Sequence, residues 1–198
     1  MKVLSNLWLN SPALFDPIQH SFNGDFWKVF KRKFAKFAND KSVIDLACGT
    51  GELREHFNPK NYLGVDLNSF YIKYARKRFK DKYSRFEVRD ILNFVPEGSF
   101  ETIFLISAAH HLSDSQLHIL FKNLKKCNAR TLIIIDGVPK GIFSMVLRFM
   151  DAYLGGGKYF RSTNQLKRIV SEYFKIEDHG NFSASGSFYI YPYIIAAK

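Results

Sequence analysis

The stretch Ser42-Val-Ile-Asp-Leu-Ala-Cys-Gly-Thr-Gly51 carries the clearest structural pattern in this sequence. It is a short run of mainly apolar residues that ends in a glycine-rich turn, which is typical of a buried parallel strand leading into a helix. Asp45 stands near the end of the run, and Gly49 and Gly51 stand in the turn. We therefore expect a first strand over residues 42–47, followed by a tight turn.

More short apolar runs follow this strand, and they lie at residues 61–66, 85–89, 101–107 and 131–136. Segments with helical spacing separate several of them. One such helix is expected over residues 69–80, with Asn68 or Ser69 as its cap, and another over residues 114–126. Strands that alternate with helices predict βαβ units and a mostly parallel sheet that is covered on both faces.

The flanking segments complete the predicted fold. A single helix is expected over residues 17–39, because apolar residues recur there with a spacing near 3.6. Two more helices are predicted over residues 140–154 and 163–174, and an antiparallel strand pair over residues 175–179 and 189–197. The prediction is an α/β, doubly wound, Rossmann-like fold with a seven-stranded, mostly parallel sheet and a terminal antiparallel strand.

Composition limits the classes of protein to consider. The chain has 198 residues, which favours one domain. Its net charge of +11, with 20 Phe and 10 Tyr, is compatible with a nucleic-acid partner. Basic helix faces are nevertheless more often simply solvated. The two cysteines, Cys48 and Cys127, indicate neither a disulfide framework nor a metal site, and they fit a reducing cytoplasm.

No membrane partner is expected from the sequence. The apolar run at the N-terminus is interrupted by Asn6 and Asn10, and this argues against a signal peptide. The longest apolar stretch, residues 141–155, contains Arg148 and Asp151 and is too short to span a bilayer.

Polar residues stand where the predicted strands end. In open α/β sheets, ligands bind outside the carboxyl ends of the strands. Glycines let a backbone approach a ligand closely, and a carboxylate after the second strand can accept both hydroxyls of a ribose. The pattern therefore predicts a nucleoside-binding edge. Its residues are Asp45, Gly49, Gly51, Asp66, Asp90, residues 107–111 and Asp136.

Two common nucleotide motifs do not fit. A dinucleotide fingerprint needs a third glycine, but Arg54 stands at that position after Gly49 and Gly51. The sequence Gly155-Gly-Gly-Lys158 lacks the Ser or Thr of a P-loop and does not follow a predicted strand. A nicotinamide cofactor is therefore disfavoured, and residues 155–158 are interpreted as a flexible turn.

The motifs resemble those of class I S-adenosylmethionine-dependent methyltransferases. Residues 43–51 are similar to the first motif of that family, V-L-D-x-G-C-G-T-G, with Ala47 where glycine is common. Gly64-Val-Asp66 resembles the acidic second motif, Arg89-Asp90-Ile91 resembles the third, and Ser107-Ala-Ala-His-His-Leu112 resembles the end of the fourth strand in many small-molecule members.

The sequence also resembles a narrower, bacterial group of these enzymes, which is similar to methyltransferase types 11 and 25. This resemblance rests on the segments Phe15-Asp16, Gln19, Gly24, residues 151–161 and Pro192-Tyr193. The glycine stretch after Tyr153 departs from the shorter Arg-Gly sequence of that group.

The family resemblance implies S-adenosylmethionine as cofactor and assigns a task to each part of the edge. The turn at residues 47–51 would hold the homocysteine portion, Asp66 the ribose, and Asp90 with the Ile91 backbone the adenine. Asp45 either contacts the cofactor or binds the amides of the turn, and Cys48 is expected to be a small buried residue rather than a nucleophile. The implied cofactor contacts are Gln19, Asp45, Ala47, Cys48, Gly49, Gly51, Asp66, Leu67, Asp90, Ile91, Ser107 and Ala108.

Catalytic and substrate residues are hypotheses of lower specificity. If the acceptor is a hydroxyl, His110 or His111 is the candidate general base; the alternative is that this pair only packs against or caps the next segment. Asp136, Tyr159 and Arg161 are candidate substrate contacts, although an arginine here is also compatible with a plain surface position.

The leading functional hypothesis is methyl transfer to a small molecule. Residues 1–198 are expected to form one methyltransferase domain, with a helical cap at 1–40, a cofactor-binding core at 42–136, a substrate-side helical insertion at 140–174 and a final strand pair at 175–198. The net charge motivates an RNA methyltransferase as the alternative, although the Asn/Asp-Pro-Pro-Tyr and Pro-Cys motifs of common nucleic-acid enzymes are absent. A third alternative is a cofactor-binding protein without catalysis.

Overall fold

The computed structural model describes residues 11–198, so the signal-peptide prediction concerns residues outside the described part. The described chain alternates helices with strands. The helices are α1 (Pro12–Asn23), α2 (Phe26–Ala38), α3 (Glu52–His56), α4 (Ser69–Arg78), α5 (Asp114–Leu124), α6 (Ser144–Met150) and α7 (Thr163–Ser171). The strands are β1 (Ser42–Leu46), β2 (Asn61–Asp66), β3 (Ser84–Val88), β4 (Thr102–Ile106), β5 (Thr131–Ile135), β6 (Val138–Pro139), β7 (Lys175–Ser183) and β8 (Tyr189–Ala197).

The sheet is mostly parallel and has antiparallel strands after β5, as the sequence predicts. Its parallel part runs in the order β3-β2-β1-β4-β5. Strand β8 is antiparallel to β5 on one side and to β7 on the other. The seven predicted strands are therefore all present within residues 11–198, and the two-residue β6, which also pairs with β8, is an eighth. The Rossmann-like α/β prediction is confirmed.

Alternation along the strands separates two apolar layers. Ile44 and Leu46 of β1 face one cluster, which includes Leu117 and Phe121 of α5, while Val43 belongs to the cluster on the other face. Successive side chains of a strand point to opposite faces, so a strand that is apolar throughout is buried on both. Helices accordingly cover both faces, and the polar ligand edge is left at the carboxyl ends of the strands.

Local sequence signals define several helix starts. Asn68 caps α4, where its side chain accepts hydrogen bonds from the backbone N–H groups of Phe70 and Tyr71. Helices α5 and α7 each begin with a capping box, formed by Ser113 with Gln116 and by Ser162 with Gln165. These caps satisfy backbone donors that have no partner inside the helix.

The single helix predicted over residues 17–39 is wrong, because α1 and α2 are separate. Gly24 lies between them with φ +55°, and a Cβ atom there would lie 2.1 Å from the carbonyl oxygen of Ser185. The N–H of Asp25 donates to that same oxygen at 3.0 Å. The chain therefore breaks where it meets the turn between β7 and β8. Apolar periodicity does not report this break, since the apolar spacing continues from Ile18 and Phe22, which are half-buried, to Phe26, which is buried.

The region after β6 also differs from the prediction. Helix α6 covers only part of residues 140–154, and a π-helical turn (Asp151–Gly155) follows it. Helix α7 ends at Ser171 instead of reaching residue 174, and β7 continues to Ser183 instead of ending at residue 179. Within residues 11–198, none of the helices combines the length and the apolar character that crossing a bilayer requires.

Candidate active site

A cleft of about 980 Å³ opens at the carboxyl ends of β1, β2, β3 and β4. This volume is at the upper end of the range for small-molecule and cofactor sites. Most of the predicted site residues line it: Gln19, Asp45, Ala47, Cys48, Gly49, Asp66, Leu67, Asp90, Ile91, Ser107, Ala108, His110 and His111. The predicted residues that do not line it are Gly51, Asp136, Tyr159 and Arg161.

The turn after β1 has an unusual backbone. Ala47, Gly49 and Gly51 all have positive φ angles, of 56°, 54° and 87°. A Cβ atom at Gly49 would meet no atom within 4 Å, so this residue faces the open cleft. A Cβ atom at Gly51 would lie 2.9 Å from the ring of Phe79. Gly51 therefore allows close packing behind the turn, and its role as a cofactor contact stays a prediction.

Replacing Ala47 with glycine is expected to raise the free energy of unfolding by about 0.5–1 kcal/mol. A left-handed conformation costs an L-residue about 1–2 kcal/mol, and the greater freedom of glycine in the unfolded chain offsets about 0.4–1 kcal/mol of that gain. Urea unfolding measures the difference. The matched control is Ala35→Gly inside α2, which should destabilise by about 1 kcal/mol. Equal destabilisation by both variants would contradict the prediction.

Asp66 is fixed beside this turn. One of its carboxylate oxygens, Oδ2, accepts the N–H of Gly49 at 2.9 Å, and the other accepts the N–H of Asn68 at 2.8 Å. Burial raises the pKa of Asp66, and these backbone hydrogen bonds oppose that rise because they favour the carboxylate. The end of β2 and the turn after β1 thus form one rigid unit at the cleft.

Asp45 has a partner that the sequence analysis did not predict. It is buried, and its Oδ2 accepts the hydroxyl of Tyr62 at 2.6 Å. The amide of Gly49 donates to Asp66 instead, so the prediction that Asp45 binds this amide is wrong. Burial raises the pKa of Asp45 to about 7, with the nearby Asp66 charge acting in the same direction.

Strands β3 and β4 end at further polar positions of the cleft. Asp90 accepts the N–H of Leu92 at 3.0 Å and the side-chain amide of Asn93 at 2.8 Å, so it stabilises the turn that carries Ile91. Ser107 has φ +50° and donates its N–H to the carbonyl oxygen of Ile135. Both segments are therefore held in fixed backbone conformations at the edge.

Helix α1, the first helix of the described chain, covers one side of the cleft. Gln19 lies on its lining, and Asp16, one turn earlier in the helix, accepts the hydroxyl of Thr50 at 2.8 Å. This hydrogen bond ties α1 directly to the glycine turn. Asp16 was part of the family resemblance but not of the predicted site.

His110 lies between two carboxylates. Its Nδ1 is 2.5 Å from Oδ1 of Asp136, its Nε2 is 3.3 Å from Oδ2 of Asp151, and its ring stacks on Phe160. Burial lowers the pKa of His110, but the charges and the hydrogen bond of the two carboxylates outweigh burial and raise it overall. The two carboxylates therefore favour the protonated form of His110.

His111 has the opposite electrostatic character. Its side chain is accessible from the cleft, while reduced solvation and the neighbouring His110 lower the pKa of His111 to about 4. The imidazole is therefore neutral near pH 7 and has a lone pair available to accept a proton.

Asp136 and Arg161 contact this histidine segment, and their predicted role as substrate contacts stays a prediction. Asp136 is buried against His110. Arg161 donates to Asp114 and to the carbonyl oxygens of Ala109 and Leu112. Its charge is therefore used to hold the segment that carries His110 and His111. This role differs from that of a surface arginine through contacts between segments that are distant in sequence.

Tyr159 also contacts the segment that carries His110 and His111. Its N–H donates to the carbonyl oxygen of His110 at 2.9 Å, and its ring lies beside the guanidinium of Arg161. Tyr159 does not line the cleft, and its role as a substrate contact stays a prediction.

Asp151 and Gly157 were missing from the predicted site. A Cβ atom at Gly157 would lie 2.4 Å from Cδ2 of His110 and 2.9 Å from Cγ of Asp151. The glycine stretch interpreted as a flexible turn is thus needed for close approach to this pair. His110, His111 and Asp151 also place ligand atoms within 4.8 Å of one another, so within the described residues they could hold a metal ion, which the sequence analysis did not expect.

Comparison with known proteins agrees with this architecture. Residues 43–130 match the family described as "Methyltransferase domain". A protein of Invertebrate iridescent virus 6 named "Putative methyltransferase 235L" is 25% identical over 134 residues, which is 57% of this chain and 50% of that protein. The chain thus spans about half the length of this curated relative.

Solved structures show the same fold at low identity. Magnesium protoporphyrin IX methyltransferase from Synechocystis PCC 6803, with S-adenosylhomocysteine bound, matches with a TM-score of 0.61 and 18% identity over 91% of this chain and 82% of that one. N-methyltransferase NodS from Bradyrhizobium japonicum WM9 matches with a TM-score of 0.65 and 16% identity over 89% and 87%. Residues 43–130 are therefore similar to the methyltransferase domain family, and the chain has the α/β fold of these solved methyltransferase structures.

Proposed function

We propose that this chain transfers the methyl group of S-adenosylmethionine to a small-molecule acceptor. The observation that carries the proposal is the position of Asp66. Its carboxylate is fixed at the end of β2 by the amides of Gly49 and Asn68, inside the matched methyltransferase domain and on the lining of the cleft.

The cleft fits the cofactor in size and in the order of its polar groups. Asp66 would accept the ribose hydroxyls, and Asp90 would accept the adenine amine while the N–H of Ile91 donates to the ring. The open backbone at Gly49 would admit the methionine portion, because a Cβ atom there would meet nothing within 4 Å. The carbonyl groups of Ser107 and Ala108 would accept the amino group, and Gln19 would close over the cofactor.

The chain's main chemical contribution is to orient the acceptor and to remove its proton. When bound, S-adenosylmethionine supplies a sulfonium methyl group that is already activated for displacement. We assign the general base to His111 because its side chain faces the cleft and its imidazole is neutral near pH 7, although a pKa of about 4 makes it a weak base. His110 is held between Asp136 and Asp151, which favour its protonated form, so we assign it the positioning of His111.

A small acceptor is supported by the part of the cleft next to the histidines. Leu147, Met150 and Tyr189 line it there, which gives a wall with much apolar surface. The small molecules named for similar structures, magnesium protoporphyrin IX and geranyl diphosphate, agree with an acceptor of this class. We assign Leu147 and Met150 of this wall to the substrate-side insertion, and Tyr189 to the final strand pair, of a single domain over residues 1–198. We also infer a cytoplasmic location, supported by the two free cysteines.

Isothermal titration calorimetry of the full chain tests the cofactor. S-adenosylmethionine and S-adenosylhomocysteine should each bind with one molecule per chain, and NAD should not bind, since the third glycine of its fingerprint is replaced by Arg54. The proposal would be refuted if NAD bound, or if neither S-adenosylmethionine nor S-adenosylhomocysteine bound.

Transfer of a radiolabelled methyl group then distinguishes the acceptors. The label should enter an extract of small metabolites, and bulk tRNA added in parallel serves as the comparison. Label recovered in tRNA, with binding that weakens steeply with salt, would instead support the RNA alternative.

A further inference from the structure

Helix α6 and the residues just before it expose apolar side chains to an unusual extent. Ile142 is 90% exposed, Met145 80% and Phe149 67%, and Phe143 and Val146 are more than half exposed. We call these residues the α6 surface: Ile142, Phe143, Met145, Val146 and Phe149. Contiguous exposed apolar patches on a folded protein mark sites that contact another apolar phase or partner.

The exposure follows from helical spacing. Met145 and Phe149 lie four residues apart in α6 and so share one face, and Ile142 is exposed in the turn just before the helix. Leu147 lies on the opposite face and is buried. Phe149 stacks on Tyr153, with the ring centroids 5.7 Å apart, which continues the apolar face into the π-helical turn. The apolar face therefore points away from the core of the domain.

The charges around this surface have one sign. Lys140, Arg148 and Lys158 are exposed, while Asp151, the one acidic residue between positions 140 and 158, turns toward His110. The whole chain carries a net charge of +11. An apolar face bordered by cations is the pattern of segments that lie in the interface of an anionic membrane. A second copy of the chain would bring these like charges together.

We propose that the α6 surface docks on the headgroup region of an anionic lipid membrane. Its apolar side chains enter the boundary between headgroups and acyl chains, while Lys140, Arg148 and Lys158 contact the lipid phosphates. The contact is peripheral, and it differs from the sequence-based expectation that the protein has no membrane partner.

Docking at this place has a consequence that rests on the proposed function. Leu147 and Met150 of the same helix line the cleft. An acceptor with an apolar tail and a reactive head could thus pass from the bilayer to the cleft along α6. The substrate class that this geometry favours is an amphipathic, lipid-embedded molecule.

Vesicle co-sedimentation of the full chain tests the docking. The probes are vesicles of pure phosphatidylcholine and vesicles in which one third of the lipid is phosphatidylglycerol. We expect the anionic lipid to raise the partition coefficient about tenfold or more, and added salt to reduce it. The variant Met145→Glu/Phe149→Glu should lose about tenfold or more of the binding, because it removes apolar area and adds repulsive charge.

The control Ile119→Glu places the same charge on an exposed apolar residue of α5 and should bind as the unchanged chain does. Calorimetry with S-adenosylmethionine separates this proposal from the proposed function, since neither variant changes a residue of the cleft lining. Equal vesicle binding by the chain and the double variant would overturn the proposal. So would binding that is independent of phosphatidylglycerol, or a dimer in analytical ultracentrifugation that the double variant abolishes.

Discussion

Asp66→Ala is expected to weaken binding of S-adenosylmethionine about 100-fold or more. A hydrogen bond to a charged acceptor contributes about 1.5–3 kcal/mol, and loss of two ribose contacts therefore amounts to about 3 kcal/mol, or more than two decades in Kd. The change also releases the amides of Gly49 and Asn68 from the carboxylate, so the turn loses its fixed conformation. Calorimetry of the purified variant measures the effect.

Two further variants sharpen this experiment. Asp66→Asn keeps an acceptor oxygen at the same place and should lose less affinity, about tenfold. Glu97→Ala removes an exposed carboxylate that does not line the cleft, and its affinity should be unchanged. If Asp66→Ala bound the cofactor as tightly as Glu97→Ala, the assignment of Asp66 to the ribose would be wrong.

Asp136→Ala is expected to lower the free energy of unfolding by about 3–5 kcal/mol near pH 6. Removing one partner of a buried ion pair leaves the other charge without compensation, and losses of this size are typical. Here the remaining group is His110, which is buried and has only the longer contact to Asp151 on its other nitrogen. Urea unfolding at pH 6 measures the loss.

The pH dependence gives this prediction a second readout. Asp136 and Asp151 raise the pKa of His110 above 6.5 in the folded chain, against the opposing effects of burial and of Arg161. The stabilisation from its protonated form is complete below pH 6.5 and is lost as the pH rises through the folded pKa. The difference between the unchanged chain and Asp136→Ala should therefore shrink as the pH rises through the folded pKa of His110.

The control for this comparison is again Glu97→Ala, which should stay within about 0.5 kcal/mol of the unchanged chain at both pH values. A loss of that small size for Asp136→Ala at pH 6 would show that the pair does not stabilise the fold.

The strand-end carboxylates explain why much of the cleft could be predicted. Parallel strands bring their carboxyl ends to one edge, so a residue's place at a strand end is enough to locate it. Asp45, Asp66 and Asp90 follow from short apolar runs and the turns after them, without knowledge of distant contacts. Pairings between elements could be inferred as well, because the alternation of strands and helices restricts the topology.

The remaining features depend on contacts between segments that are far apart in sequence. Gly24 divides two helices because it meets Ser185, and no periodicity in residues 17–39 contains that information. Arginine is a residue type that usually lies on the surface. Arg161 is buried instead, because it donates hydrogen bonds to the carbonyl groups of residues 109 and 112. Asp151 reaches His110 only because Gly157 lacks a side chain.

The position of β8 has a consequence for synthesis on the ribosome. This strand lies between β5 and β7, although both precede it in the sequence. A nascent chain that has reached residue 188 therefore presents one edge of β5, with its run of leucine and isoleucine, without the strand that covers it. Unpaired apolar edges of this kind favour aggregation. Chaperone protection is thus needed most in the interval before residues 189–197 emerge.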